Sequence, residues 1–179
     1  MTTFTLVGVD PGIRDTAVVA IRLRPEDRNW AIRYRVWSDV THRVKQEVII
    51  DQKFLRELTD FQQNEFFLGD AVLTGVEGYR QRGRNIMQDQ AMLMMIRETS
   101  SVLDRSTIVD NTGIKNVVTE PLLKLFQVSR FSTPTNHADL KSAARVALKI
   151  GIANPEINTI LSDFVRDNLG DKPWARTSM

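Results

Sequence analysis

Three acidic residues stand where the surrounding sequence predicts buried strands or a helix. Asp10 closes the apolar run 4–9, and Glu77 closes a second short apolar run. Asp139 falls in the first turn of a predicted helix. An isolated carboxylate at the end of a buried strand is costly unless a positive charge offsets it. If these three acids meet at one end of a sheet, a divalent metal ion is the simplest offset.

Each acid also has a purely structural interpretation. Asp10 precedes a Pro-Gly pair and can form an Asx turn there. Glu77 can be the exposed end of a strand, and Asp139 is favoured in a first helical turn by the helix dipole. The sequence leaves the structural and the metal-binding interpretations both open.

The composition limits which metal chemistry is available. The 179 residues include no cysteine and two histidines, which excludes thiolate-bound zinc, iron–sulfur clusters, disulfides and thiol catalysis. Hard oxygen ligands suit Mg²⁺, for which Mn²⁺ can substitute. Two such ions about 3.5–4 Å apart can activate a water and stabilise the leaving oxygen in phosphodiester cleavage.

Basic residues are concentrated beside one of these acids. The 24 Lys and Arg against 22 Asp and Glu leave a net charge of only +2. Glu77 is nevertheless followed closely by Tyr79, Arg80, Arg82 and Arg84. If Glu77 holds a metal at a scissile phosphate, these residues are close enough to bind adjacent phosphates. The alternative is a solvated charged loop. Further candidates for DNA-backbone contacts are Lys124, Arg130 and Lys141.

Length and composition are those of one globular domain. With 42% apolar and 26% charged residues, the chain predicts a single domain over 1–170 and an exposed tail over 171–179. No apolar run approaches the ~20 residues of a membrane span, and the first residues lack the pattern of a signal peptide. We therefore expect a cytoplasmic protein with no membrane partner.

Hydrophobic periodicity predicts an α/β domain in which three sequential strands come first and are antiparallel. Strands are predicted at 4–9, 16–23, 30–38 and 71–77, with strand fragments at 106–109 and 115–119. Helices are predicted at 45–68, 85–103, from Pro121, at 137–150 and from 154 to about 170, with a loop at 130–136. This order predicts a mixed sheet of about five strands flanked by helices.

The predicted helix 85–103 is unusually apolar. Its residues 91–96 are six consecutive apolar residues, which cover the whole circumference at ~100° per residue. One face against a sheet does not require that pattern. Either the helix is enclosed in the core, or its second face is a subunit interface, and the adaptable Met side chains suit both.

The opening sequence resembles a known family. Residues 7–12 (VGVDPG), followed by a strand that contains Thr16, resemble the first strand of the RuvC family of Holliday junction resolvases, which have the RNase H-like fold. The order of elements agrees, as do Glu77 at the end of the fourth strand and a late helix that contains Asp139. The resemblance covers nearly the whole chain.

The resemblance implies a homodimeric, Mg²⁺-dependent endonuclease that nicks symmetric strands of a four-way DNA junction. By position, Asp10, Glu77 and Asp139 become the metal-binding acids, and the helix 85–103 becomes the dimer interface. Branched DNA and a second copy of the chain are the implied partners.

The chain also departs from that family, as a phage-encoded relative would. Ser142 stands where the family's last helix carries a second acidic or imidazole residue, so Asp139 acts alone, His137 assists as ligand or base, or activity is reduced. Arg80 stands where the family often has an aromatic residue that points towards the junction, with Tyr79 just before it.

Two other functions are compatible with parts of the sequence. One is a branched-DNA-binding protein that kept the fold without catalysis, which Ser142 favours. The other is an actin-like or sugar-kinase type of ATP-binding domain, whose first strand also ends in Asp-x-Gly. Such proteins close two domains on ATP, and this chain has room for one and lacks the Gly-rich phosphate loops.

Overall fold

The computed structural model describes residues 3–64, 71–81, 83, 85–133, 135 and 137–169. In chain order its strands are β1 (Phe4–Asp10), β2 (Thr16–Arg24), β3 (Asn29–Trp37), β4 (Thr41–Val44), β5 (Glu47–Ile50), β6 (Ala71–Glu77) and β7 (Ser106–Val109). Its helices are α1 (Gln52–Gln62), α2 (Ile86–Val102), α3 (Ile114–Val117), α4 (Glu120–Leu125), α5 (His137–Ala153) and α6 (Pro155–Leu169).

A five-stranded mixed sheet in the order β3-β2-β1-β6-β7 organises the chain. The first three strands pair antiparallel, while β6 runs parallel to β1 and β7 runs parallel to β6. The predicted α/β class and the antiparallel start of the sheet are therefore confirmed. β1 is central, and its Leu6, Val7 and Val9 are fully buried because the sheet is covered on both faces.

Helices cover the two faces of the sheet. On one face α5 packs along β1 and β2, with α4 and α6 completing a core around Leu6, Ile21 and Phe126. On the other face α1 and α2 pack against Val7, Val18 and Val76.

The contact between α5 and β1 is exceptionally close. A Cβ at Gly8 would lie 1.9 Å from the carbonyl oxygen of Ala143 and 2.4 Å from the amide nitrogen of Ala147. Only glycine fits there, so the lack of a side chain at Gly8 determines how near the start of α5 comes to the end of β1. The small residues Ala143, Ala144 and Ala147 of α5 are buried for the same reason.

Two predicted elements were wrong. The region 45–68 is not one helix, because β4 and β5 form a hairpin and the helix α1 begins only at Gln52, where Asp51 accepts a hydrogen bond from the Lys53 amide at 2.9 Å. Lys45 has a positive φ of 58°, which closes the hairpin and breaks the helical period. Residues 65–70 lie outside the described residues.

The second error concerns the strand fragment at 115–119. Gly113, at a φ of 68°, leads into α3, and the Val118 amide bonds to the Ile114 carbonyl at 2.7 Å. Local hydrogen bonds therefore satisfy this backbone, and β7 remains the edge strand of the sheet.

The apolar helix α2 has both a buried and an exposed face. Ala91, Met95 and Ile96 are buried, whereas Ile86 and Met87 are 70% and 51% exposed. The interpretation that this helix is enclosed in the core therefore holds for only one face of α2. No helix within the described residues is long and apolar enough to cross a bilayer. The proposed tail 171–179 lies outside them.

Candidate functional site

Asp10 and Glu77 meet because their strands are parallel neighbours. β1 and β6 pair in register up to Val9 and Val76, so the next residue of each strand is the acid. The two carboxyl groups hydrogen bond to each other. Burial, followed by the nearby charge of Glu77, raises the pKa of Asp10 to about 9. The raised pKa favours the neutral form of Asp10.

α5 brings the third acid to the same place. Asp139 lies close enough that its charge also raises the pKa of Asp10. Partial burial, then the charges of Asp15 and Glu77, raise the pKa of Asp139 itself. The acidic centre, defined here as Asp10, Glu77 and Asp139, is thus an electrostatically coupled group assembled from β1, β6 and α5.

Two neutral side chains orient Glu77. The Ser142 hydroxyl donates to Glu77 Oε2 at 2.9 Å and also hydrogen bonds to Asp10. The Asn111 amide donates to Glu77 Oε1 at 2.9 Å. Sequence analysis assigned Ser142 only as a missing acid and did not single out Asn111 as a site residue, although the turn at 110–113 that positions it was recognisable.

Asp15 is a fourth carboxylate that sequence analysis missed. Its Oδ1 is buried and has no hydrogen-bond partner among the described residues. A Cβ at Gly12 would lie 2.3 Å from the Asp15 carbonyl oxygen, so Gly12 allows the loop to turn tightly. The Thr41 hydroxyl donates to the Ile13 carbonyl at 2.6 Å and fastens the same loop to β4. The only sequence signal was an acid five residues after Asp10.

The donor set fits a hard divalent cation. As the side chains stand, no three His, Asp or Glu residues in the described ranges form a ready cage for one ion. Asp10 and Glu77 are hydrogen bonded to each other, and the buried Oδ1 of Asp15 has no hydrogen-bond partner among the described residues. Carboxylate, hydroxyl and amide oxygens are the ligands that Mg²⁺ and Mn²⁺ prefer.

His137 begins the same helix as Asp139. It is exposed at the first residue of α5, and no contact between it and the three acids is described. A role for His137 as ligand or base therefore remains a prediction from the sequence.

The basic loop, defined as residues 78–85, begins directly after Glu77. The Gly78 amide donates to the Val109 carbonyl at 2.8 Å. Tyr79 is half-buried, and its hydroxyl donates to Asp89 Oδ1 at 2.7 Å. Arg80 is exposed, whereas the predicted Arg82 and Arg84 lie outside the described residues. The structure therefore brings the start of the loop next to the acidic centre.

The other predicted basic residues lie on α4, α5 and the loop between them. Lys124 and Arg130 are exposed. Lys141 forms an ion pair with Glu120 at 2.8 Å, and Arg145 approaches the same carboxylate at 3.6 Å. Sequence analysis did not single out Arg145.

No protein-family model matches this chain. No curated protein matches it either. Among solved structures, Thermus thermophilus RuvC in complex with a Holliday junction substrate is similar to it, with 8% identity, a TM-score of 0.56 and coverage of 95% of this chain and 98% of that one. A second Thermus thermophilus RuvC structure has 11% identity, covers 91% of this chain and 95% of its own, and has a TM-score of 0.45. The Aquifex aeolicus PPX-GPPA enzyme has 12% identity, a TM-score of 0.40 and coverage of 70% of this chain and 41% of that chain.

The first of these similarities establishes the class of fold. A mixed sheet of five strands flanked by helices, superposable over nearly the whole length of both chains, is the RuvC-type, RNase H-like fold. The predicted fold is thereby confirmed.

Proposed function

We propose that this protein is a divalent-metal-dependent endonuclease that resolves branched DNA, with four-way junctions as its substrate, through paired nicks. The observation that carries the proposal is the meeting of Asp10, Glu77 and Asp139 at the ends of β1 and β6 and the start of α5. The fold shared with Thermus thermophilus RuvC, which was solved with a Holliday junction substrate, supports the choice of DNA.

The acidic centre would hold the metal, together with Asp15. When bound, divalent ions supply an activated water and a positive charge for the leaving oxygen. Asn111 and Ser142 hold Glu77 in one orientation from both of its oxygens. Asp10 must be ionised to act as a ligand, and its raised pKa opposes ionisation in the metal-free protein. Asp15 offers the further acid that α5 lacks at Ser142.

The basic loop and the residues Lys124, Arg130 and Lys141 would bind DNA phosphates. Phosphate contacts of this kind position a nucleic acid without reading its sequence. Arg80 is the basic residue of the loop that the structure describes, and it is exposed. Lys141 would exchange its ion pair with Glu120 for a phosphate.

We also propose a homodimer through α2. Ile86, Met87 and Leu93 are exposed on this helix at 70%, 51% and 40%. A groove lined by Val48, Met87 and Met94, among others, continues this apolar face towards β5. Two paired nicks require two acidic centres, which a dimer supplies.

A cleavage assay tests the proposal. Purified protein is incubated with labelled four-way junction, linear duplex and single strand, in Mg²⁺, in Mn²⁺ or in EDTA. Paired nicks in the junction that disappear in EDTA are expected. Junction binding with no cleavage in either metal would leave the non-catalytic binder, which Ser142 favours, as the function.

A further inference from the structure

Asp89 is a buried carboxylate in the first turn of α2, and its described partners come from the basic loop rather than from its own helix. Only 6% of the residue is exposed. The Tyr79 hydroxyl donates to Oδ1 at 2.7 Å, and the Gly83 amide donates to Oδ2 at 3.0 Å. Burying a carboxylate is costly unless such bonds are made, so the loop and Asp89 stabilise each other.

The basic loop is also held at its two ends. At its start, the Gly78 amide bonds to the Val109 carbonyl at 2.8 Å, which ties it to β7. At its end, Asn85 caps α2 by accepting from the Gln88 amide at 3.1 Å. Gly83 has a φ of 66° and no atom within 4 Å of a Cβ position, so glycine is needed there for the backbone conformation and not for space.

The bond to Asp89 also determines the direction of the Tyr79 side chain. Its ring packs on the α2 side of the core, and its hydroxyl is engaged with Asp89. Tyr79 is therefore turned towards α2, while the neighbouring Arg80 is exposed. The sequence also places Arg82 and Arg84 on either side of Gly83.

We propose that Asp89 is a positioning residue that holds Tyr79 and Gly83 of the basic loop in place before DNA binds, and that this preorganisation favours branched DNA over linear duplex. The inference rests on the proposed function. A loop segment ordered in advance loses less conformational entropy on binding. Arg80 directly follows Tyr79, so the bond from Tyr79 to Asp89 limits where Arg80 can lie. Phosphates around a junction have a spacing that differs from that of a duplex, whereas a loosened loop binds either polyanion by charge alone.

Two variants test the positioning role. Asp89→Asn keeps the shape of the side chain but offers one acceptor oxygen instead of two, and Tyr79→Phe removes one bond while keeping the ring. The matched control is Asp104→Asn, since Asp104 is a carboxylate with 84% side-chain exposure outside the loop. Binding of labelled junction and duplex is measured by fluorescence anisotropy in EDTA over a range of salt concentrations.

We expect Asp89→Asn to weaken junction binding about 10-fold and Tyr79→Phe about 3-fold, because a loosened loop must then be ordered when DNA binds. The affinity for duplex should fall by less. The dependence of affinity on salt should stay unchanged, because the number of phosphate contacts is the same. Trypsin, which cleaves after arginine, should cut the basic loop faster in both variants. A general loss of folding would instead lower the melting temperature without changing the junction-to-duplex ratio.

The outcomes separate this inference from the proposed function. A folded Asp89→Asn protein with wild-type junction affinity and wild-type selectivity overturns the positioning role while the nuclease proposal stands. Wild-type protein that binds neither DNA overturns both. If Asp89→Asn does not fold, the Tyr79→Phe variant decides, since it keeps the carboxylate and the ring.

Discussion

The acidic centre and the basic loop are neighbours, yet they are held in place in opposite ways. Asp10 and Glu77 end two parallel strands in the middle of the sheet, and α5 reaches them because Gly8 has no side chain. The basic loop leaves the sheet after Glu77 and depends on the carboxylate of Asp89 and on a few main-chain bonds. The acids are thus positioned by the whole core, and the described residues of the loop by Asp89 and by neighbouring main-chain groups.

On the proposed function, this difference separates chemistry from recognition. Catalytic groups must stay within a fraction of an ångström of their working geometry, which rigid strands and helices provide. A surface loop tolerates adjustment to its ligand and is opened at a lower energetic cost. Changes at the acidic centre should therefore alter cleavage or stability, and changes in the loop should mainly alter DNA binding.

The largest effect should come from removing an acid. We expect Asp10→Asn and Glu77→Gln each to lower nicking by about 10³-fold or more, because metal ligands stabilise charge in the transition state. Junction affinity should be retained, since the basic loop is unchanged. Nicking and anisotropy measured on the same preparations test this, with Asp104→Asn as the control. Wild-type nicking in either variant would refute the assigned centre.

The next effect tests the packing beneath the centre. Gly8→Ala places a Cβ 1.9 Å from the Ala143 carbonyl oxygen, so β1 and α5 must separate. We expect the free energy of unfolding in denaturant to fall by about 3 kcal/mol or more. Gly83→Ala is the matched control in the loop: its Cβ meets nothing within 4 Å, and only its positive φ is unfavourable. The free energy of unfolding of Gly83→Ala should fall by only about 1 kcal/mol. Equal losses in the two variants would contradict the difference between the packed core and the loop.

The pH dependence of stability should also differ between the two regions. The pKa of Asp10 rises from 3.8 to about 9 on folding, so between these values the folded protein binds more protons than the unfolded chain. The metal-free protein should therefore lose stability as pH rises through that window, by a few kcal/mol as an order of magnitude. Asp10→Asn should flatten this dependence, whereas Asp89→Asn should retain it. Thermal melts in EDTA from pH 5 to 9 measure both.

A smaller effect concerns the fourth carboxylate. If Asp15 takes the place of the acid missing at Ser142, Asp15→Asn should weaken Mn²⁺ binding about 10-fold. Ser142→Asp should restore that affinity in the Asp15→Asn background. Mn²⁺ binding is measured by electron paramagnetic resonance without any DNA, and Asp104→Asn again serves as control. Unchanged Mn²⁺ affinity in Asp15→Asn would remove Asp15 from the ligand set.

The smallest effect on stability should come from a substitution on the exposed face of α2 that changes the oligomeric state. Met87 is 51% exposed on α2, so Met87→Glu should produce a monomer with a stability within about 0.5 kcal/mol of wild type. Met95 is fully buried, and Met95→Glu should unfold the protein. Light scattering after gel filtration reports the molar mass. A wild-type monomer, or a dimeric Met87→Glu variant, would contradict the interface on α2.

Most of the sheet and most helices were predictable because their signals are local. The runs of apolar residues before Asp10 and Glu77 indicate buried strands, and the small residues of α5 indicate close packing on a sheet. The hairpin at 41–50 was missed because Lys45 adopts a positive φ that its residue type does not suggest. The short helix α3 was missed because a four-residue helix carries no periodic signal.

By itself, the sequence determined the order of elements, the acids at the ends of two strands and the lack of sulfur ligands. Only the tertiary structure decided which side chains share a site, because those contacts join residues far apart in the chain. Asn111 and Ser142 hydrogen bond to Glu77 although they are 34 and 65 residues from it in the sequence. The charge of Asp15, near the start of the chain, raises the pKa of Asp139, near its end. Burial then determines the protonation of Asp10 and the bonds of Asp89, since both depend on what excludes water around them.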